Sequence, residues 1–576
     1  MANTVQPYRA KITGTRHATA GGHYLAALSA FEVLNAGGNA IDAGVAGGIA
    51  LGVVESLMVG IAGVAPIIIY LADRDEVVTI SGVGTFPRAA TCELYQRQHG
   101  GGMPPMLQTV VPAAPDAWIT ALERFGTMSF GEVASHAIRF ARDGFPMYAL
   151  MSELIKAQQD TFRQFPSSSA IYLPNGRPPE PGEPFRQRDL ARVLQYMADE
   201  EAAKLRHGRQ AGLNAARAAF YRGDIACEMA RYNRENGGLL TEADLADFAV
   251  AVEPPAKTDF AGTTVYSVGA WGQGPAMLEA LNILEGYDLA GLGHNSTQYI
   301  HRVTEATKLA SADREAHFGD PLFVDVPLDA LLSKEHASQR RMLICADKAW
   351  PEMPPAGTIR GREAAAYAHQ AAAGGESHCD TSFVCAVDRH GNAFAATPSE
   401  GNYNACVIPG LGFIANRRGK GARTDAKHPA ALGPGRRPRM TNGPAIAMRG
   451  SQRFPFGTPG SDNQMQAMLQ VFLNAFVFGM APQEAVEAPR FVTHSFPGTF
   501  WPHNYEPGSL FLERRISEET GAALSALGHK VEWWSEWGPP ANHGDIATVS
   551  CILHDCAAGT MTAGADPRRP GYAVGW

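Results

Sequence analysis

The sequence predicts an α+β protein, and three observations predict it. Apolar residues recur at helical spacing through much of the first 350 residues, the final third alternates short strand-like runs with Gly/Pro turns, and a small, polar segment separates the two textures. A hydrophobic content of 45% with 18% charged residues provides for a sizeable core, and the 61 Gly and 39 Pro fall as turn residues rather than in a repeat, which excludes disordered, collagen-like and coiled-coil classes. At 576 residues the chain suits three or four domains, or one large layered body.

Taken in order, Leu25, Leu28, Phe31 and Leu34 mark a helix from Tyr24 that Gly37-Gly38 stops, because glycine reaches the left-handed conformation of a helix C-terminus. A nearly all-apolar core helix runs from Asp42, whose charge suits the N-terminal dipole, toward Val54. The uncharged run Ser56 to Ala72 is short for a membrane span and broken by Gly60, Gly63 and Pro66, so it reads as a helix end followed by a buried strand, Ile67 to Leu71. Residues 108 to 250 carry helical patterns at Ala113 to Phe125, Phe130 to Arg142 and Glu200 to Tyr232, interrupted by a Pro/Gly-rich loop from Pro174 to Pro184. Further helices are expected at Ala276 to Glu285 and Thr297 to Phe318. Residues 356 to 380, ending AAAGGESHCD, look like a tether, and the alternating run from Thr381 is a hairpin turning at Asp388 to Asn392 with Phe383, Cys385 and Val387 on one face. A helix at Gln464 to Phe478 and a hairpin around His554 to Thr560 complete the chain.

A net charge of -8 and a pI near 6.1 argue against nucleic-acid binding through the overall field. The eight cysteines form no C-x-x-C pair and read as reduced thiols, and the histidines form no H-x-x-x-H pair, so neither a disulfide framework nor a metal is expected. The N-terminus lacks an apolar signal core, which places the protein in the cytoplasm. Gly269-Ala270-Trp271-Gly272-Gln273-Gly274 lacks the acidic partner of a dinucleotide fingerprint, and no cofactor is expected.

The hairpin carries a geometric argument. Facing positions of an antiparallel pair sum to a constant, and a turn centred on His390 makes that sum about 780, so Thr381 faces Ser399. Two hydroxyls at a strand mouth after a tether suit a nucleophile exposed by cleavage of its own preceding bond; an ordinary β-branched strand residue fits the spacing as well.

Longer stretches decide between them. HATAGGHYLAALSAFEVLNAGGNAIDAGVAGGIALGVVES, GAWGQGPAMLEALNILEGYDLAGLGHNSTQYIHRVTEATKLASADREAHFGDP, DTSFVCAVDRHGNAF, GPGRRPRMTNGPAI, FGTPGSDNQMQAMLQVFLNAFVFGM and GADPRRPGYAVGW resemble the gamma-glutamyltransferase family from residue 17 to the C-terminus. That resemblance implies an N-terminal-nucleophile hydrolase, a four-layer αββα sandwich that cleaves itself between Asp380 and Thr381 into a large piece, 1–380, and a small piece, 381–576, which stay associated. It implies Thr381 as nucleophile, and the facing Ser399 is then expected to hydrogen-bond Thr381 and tune it. A freed α-amino group, with a pKa of about 7.7 to 8, is a sufficient base for the threonine hydroxyl. In Gly457-Thr458-Pro459-Gly460-Ser461 the resemblance makes the N–H groups of Gly460 and Ser461 the oxyanion donors, although a plain turn reads the same way in isolation.

Several positions depart from the family pattern. Val83 stands where an arginine binds the glutamyl α-carboxylate, Met440-Thr441 replace a serine pair, and Asn416-Arg417-Arg418 make basic a stretch that normally holds the α-amino group. Glu400 and Asn402 join Asn416, Arg417, Arg418, Met440 and Thr441 as candidate substrate-binding residues. The basic stretch is either a solvated face or a carboxylate grip. Three functions stay open: an autoprocessed acylase or amidohydrolase for a small-molecule amide with an acidic acyl group, a γ-glutamyl transferase or hydrolase, and a catalytically silent relative kept for binding.

Overall fold

The computed structural model describes residues 7–359, 380–403, 405–539 and 546–576, and two seven-stranded sheets organise them. The first runs in the spatial order Ile12–Gly14, Thr560–Ala565, Ser550–Asp555, Gln452–Gly457, Ala445–Arg449, Thr263–Ser267, Ala256–Phe260. The second runs Tyr572–Gly575, Ala18–Gly21, Val384–Val387, Ala393–Ala396, Ile67–Leu71, Glu76–Ile80, Val252–Glu253. Every neighbouring pair in both is antiparallel, and both draw strands from either side of residue 380.

Period-two alternation gives each strand two destinations. Phe383, Cys385, Val387, Ala393, Ala395, Ile68 and Tyr70 of the second sheet share one apolar core with Ile446, Ile552, Met561 and Ala563 of the first. The intervening residues Val384, Ala386, Phe394, Ile67 and Ile69 join a core with the helices Tyr24–Asn35, Ala40–Val54 and Ala114–Phe125. Ala445, Ala447, Phe454 and Phe456 of the first sheet pack with the helices Gly274–Leu284, Thr297–His317 and Gln464–Phe476.

The expected hairpin has the expected register, with Val384 opposite Ala396 and Thr381 bridged to Ser399. Asp388 closes its turn by accepting from the N–H groups of His390 and Asn392. The same carboxylate accepts from Ala40 N–H at 2.9 Å and so fixes the hairpin to the start of the core helix, which Asn39 and Asp42 cap reciprocally. Ser56 to Ala72 becomes the strands Val59–Val64 and Ile67–Leu71, and no described helix is long and apolar enough to cross a membrane.

The stretch Glu200 to Tyr232 departs from a single helical pattern. It is cut into Arg188–Lys204, Arg209–Tyr221 and Asp224–Glu235 because Gly208, at φ 103°, and Gly223 each start a new helix. The helix at 464 ends at Phe476, two residues early. Most of the expected tether, residues 360–379, lies outside the described residues, as does Cys379; the other seven cysteines are free thiols.

Candidate active site

Strand Val384–Val387 carries Thr381 at its N-terminal approach, and Ser399 arrives on the short strand Ser399–Glu400, paired to Val59–Val64. That pairing is close: a Cβ at Gly63 would lie 2.1 Å from the Ser399 carbonyl oxygen, so only glycine lets the strand sit there. The two hydroxyl oxygens are 2.6 Å apart, and both residues are buried. The carbonyl of Asp380 accepts from Ser399 Oγ, from Arg418 Nη2 at 2.8 Å and from Glu400 N–H at 3.2 Å, and Thr381 Oγ1 lies 3.4 Å from the Asp380 carboxylate oxygen Oδ1. Ser399 has one proton and gives it to that carbonyl, so in this arrangement the Thr381 hydroxyl donates to Ser399.

Charge surrounds this centre. Arg418 is fully buried; its Nε lies 2.8 Å from Glu400 Oε2, its Nη2 contacts Ser399 Oγ and lies 3.1 Å from Asp380 Oδ1, and its guanidinium covers the Phe500 ring at 4.9 Å. Lys420 Nζ holds Asp380 Oδ2 at 3.1 Å. Arg417 is 3.4 Å from Glu400 and donates to the Tyr403 carbonyl. A cavity of about 900 Å³ opens here, lined by Asp380, Arg417, Lys420 and Ser461 and by aromatic side chains that include Tyr232, Tyr403, Phe500, Trp501 and Trp534.

The 457–461 segment leaves strand Gln452–Gly457 and enters helix Gln464–Phe476 through a tight turn, with Gly460 at φ 117° and Ser461 at φ 51°. Gln273, from the glycine-rich loop before Gly274–Leu284, braces it by donating to the Ser461 carbonyl at 3.1 Å while accepting from Arg314, whose guanidinium also holds Asp462 at 2.7 Å. That bracing role was not read from the sequence, because a loop motif does not reveal which turn it packs against.

The other candidates separate into two groups. Asn402 gives its amide to the Tyr172 hydroxyl and accepts from Ile414 N–H, and Asn416 bonds Val111 and the Arg418 N–H; both are buried and hydrogen-bonded within the protein. Met440 packs with Val83, Val64, Val268 and Trp271 in a small apolar cluster, and Thr441 meets Gln464 in the interior. Val83 and Met440, read from the sequence as separate departures, thus share one apolar cluster.

Glu55 was missed by the sequence reading. It is wholly buried beside Ser382 and Arg569, and burial raises its carboxyl to about 7. Among the described residues, two buried groups have metal-ligand chemistry, His301/Glu305/His529 and Glu279/Asp313/His336. Protein cations already serve them: Lys308 lies 2.8 Å from Glu305, and Arg340 lies 3.0 Å from Asp313.

The gamma-glutamyltranspeptidase family model matches residues 26–576. The acylase ACY 1 proenzyme of Pseudomonas sp. (strain SE83) is 35% identical over 539 residues, covering 90% of this chain and 88% of its own. The glutathione hydrolase-like YwrD proenzyme of Bacillus subtilis (strain 168) is 29% identical over 98% of this chain and 99% of its own. The crystal structure of cephalosporin acylase from Bacillus halodurans superposes with a TM-score of 0.85 at 26% identity, covering 100% of this chain and 98% of that one. A match that runs unbroken through the hairpin, the 457–461 turn and the C-terminal strand establishes that this chain belongs to the gamma-glutamyltranspeptidase family.

Proposed function

We propose that the protein is an autoprocessing amidohydrolase, an acylase acting on amides of an acidic acyl group. The layered cores correspond to a four-layer αββα sandwich in this reading. Self-cleavage between Asp380 and Thr381 frees an α-amino group that serves as base for the hydroxyl of the same residue. Thr381 Oγ attacks the substrate carbonyl, the N–H groups of Gly460 and Ser461 receive the oxyanion, and water resolves the acyl-enzyme. Two proenzyme relatives and the position of Ser461 on the cavity that Asp380 also lines support it.

The observation that carries the acyl specificity is the charge of that cavity. Arg417 and Lys420 line it beside the place Asp380 occupies, while the Val83–Met440 cluster removes the polar partners a free amino-acid head group needs. The carboxylates around the cavity already have partners: Asp462, which lines it, is held by Arg314, Glu506, which also lines it, faces His494 at 3.8 Å, and Glu400 behind the wall is paired with Arg418 and Arg417. An acyl group with a carboxylate and no ammonium keeps the attraction and avoids the like-charge cost, each contribution worth roughly 1.5 to 3 kcal/mol in a desolvated site.

The test is kcat/KM for a matched glutaryl and γ-glutamyl anilide pair. The glutaryl compound is expected to win by about tenfold or more, since 1.4 kcal/mol is a factor of ten. A preference for the γ-glutamyl compound would establish instead the γ-glutamyl hydrolase or transferase reading, which the YwrD-type relative favours.

A further inference from the structure

Resting on the self-cleavage reading above, we propose that Arg418, together with Ser399 Oγ and the Glu400 N–H, is the donor site that activates the Asp380–Thr381 bond, and that this site is distinct from the Gly460–Ser461 turn assigned to substrate turnover. The carbonyl to be attacked is already held by three donors from one side of the hairpin. A guanidinium with no solvent exposure is costly to bury, and here Glu400 at 2.8 Å and the Asp380 carboxylate at 3.1 Å pair with it and hold Nη2 against the Asp380 carbonyl.

The chemistry needs such a group at this stage. Before cleavage Thr381 N is an amide and cannot act as the base it becomes in the mature enzyme. The hydrogen bonds define another route: as Thr381 Oγ bonds to the Asp380 carbonyl carbon, its proton passes to Ser399 Oγ, and the Ser399 proton passes to the carbonyl oxygen. Arg418 donates to both oxygens and stabilises the charge that develops between them. Collapse breaks the C–N bond, and the proton returns through Ser399 to Thr381 N, which becomes the free amine. Water then hydrolyses the ester to the Asp380 carboxylate and the Thr381 hydroxyl. Lys420 fixes the Asp380 side chain at 3.1 Å and so keeps the carbonyl in register with its donors.

The experiment follows cutting of the full chain after a pulse of cell-free synthesis, by denaturing gel, for wild type, Arg418→Lys, Arg418→Gln and the double variant Arg418→Gln/Glu400→Gln. The double variant removes both charges of the 2.8 Å pair together, so the Glu400 carboxylate does not lose its nearer partner. Loss of a preorganised donor should slow cutting by about 100-fold or more in Arg418→Gln and in the double variant. Arg418→Lys, which keeps the charge but cannot reach both oxygens in the same geometry, should fall between them and wild type. Thermal melting identifies any variant that does not fold, and Arg418→Lys decides if both Gln variants fail. Wild-type cutting rates in Arg418→Lys, or in a folded Gln variant, overturn the proposal and leave the reading it rests on intact. A wild-type chain that stays whole yet hydrolyses amides overturns that reading itself.

Discussion

Two hydroxyl groups 2.6 Å apart divide the work of Thr381 and Ser399 unequally. In the proposed reaction Thr381 supplies both the nucleophile and, once cut, the base, so Thr381→Ala is expected to abolish cutting and turnover together. On a denaturing gel the 61.5 kDa wild-type chain should give pieces of roughly 40 and 21 kDa, in proportion to their lengths, and the variant should stay whole. Ser399→Ala keeps the nucleophile but loses the hydroxyl that relays protons in the proposed cleavage and supports Thr381 in turnover, so both steps should slow by about 10- to 1000-fold. Glu55 carries a pH prediction. Its folded pKa is raised from 4.5 to about 7 by burial, so the folded state holds a proton that the unfolded chain has released. Its contribution is complete below pH 4.5 and is lost as pH rises through about 7, an effect of roughly 3 kcal/mol at most. Melting curves should show wild type losing more stability than Glu55→Gln between these limits; equal losses would show that Glu55 titrates normally.

At the scale of elements, the site depends on how closely two backbones pass. Strand Val59–Val64 meets Ser399–Glu400 with a shifted register, and Gly63 provides the space at the Ser399 carbonyl. Gly63→Ala should push the Ser399 strand away, cost about 1 to 3 kcal/mol as overpacking does, and slow self-cleavage more than it lowers Tm would suggest. The comparison is cutting rate against melting temperature, with Gly450→Ala as a control on an exposed turn whose cost comes from its left-handed backbone, φ 53°, and not from crowding, since nothing lies within 4 Å of its Cβ position. The 457–461 turn has a similar dependence on another element, since Gln273 ties it to Arg314 and through that residue to Asp462.

At the scale of the molecule, the two expected pieces are not separate bodies. Ile12–Gly14 and Thr263–Ser267 lie in one sheet with Ser550–Asp555, and Ala18–Gly21 pairs directly with Val384–Val387 in the other. Cutting at 380 breaks no strand pairing in either sheet, so the pieces should co-elute as one particle on gel filtration and separate only in denaturant. Pieces that part in native buffer would contradict the shared sheets.

The sequence by itself determined the periodic elements and the Thr381–Ser399 register, because both follow from local rules: apolar spacing sets the faces, and a short turn fixes which residues stand opposite. Residues 464–476 and the C-terminal hairpin were legible on the same ground. The sequence also exposed Val83, Met440 and Arg417-Arg418 as departures, but treated them one by one. Only the tertiary structure decided that Val83 and Met440 share one apolar cluster, that Arg418 is enclosed against Glu400 and the Asp380 carbonyl, and that Arg417 and Lys420 line the cavity. Adjacent residues in an irregular loop have no period to assign their directions. Which of two neighbouring arginines is buried depends on partners far away in the chain, and their positions are settled by packing alone.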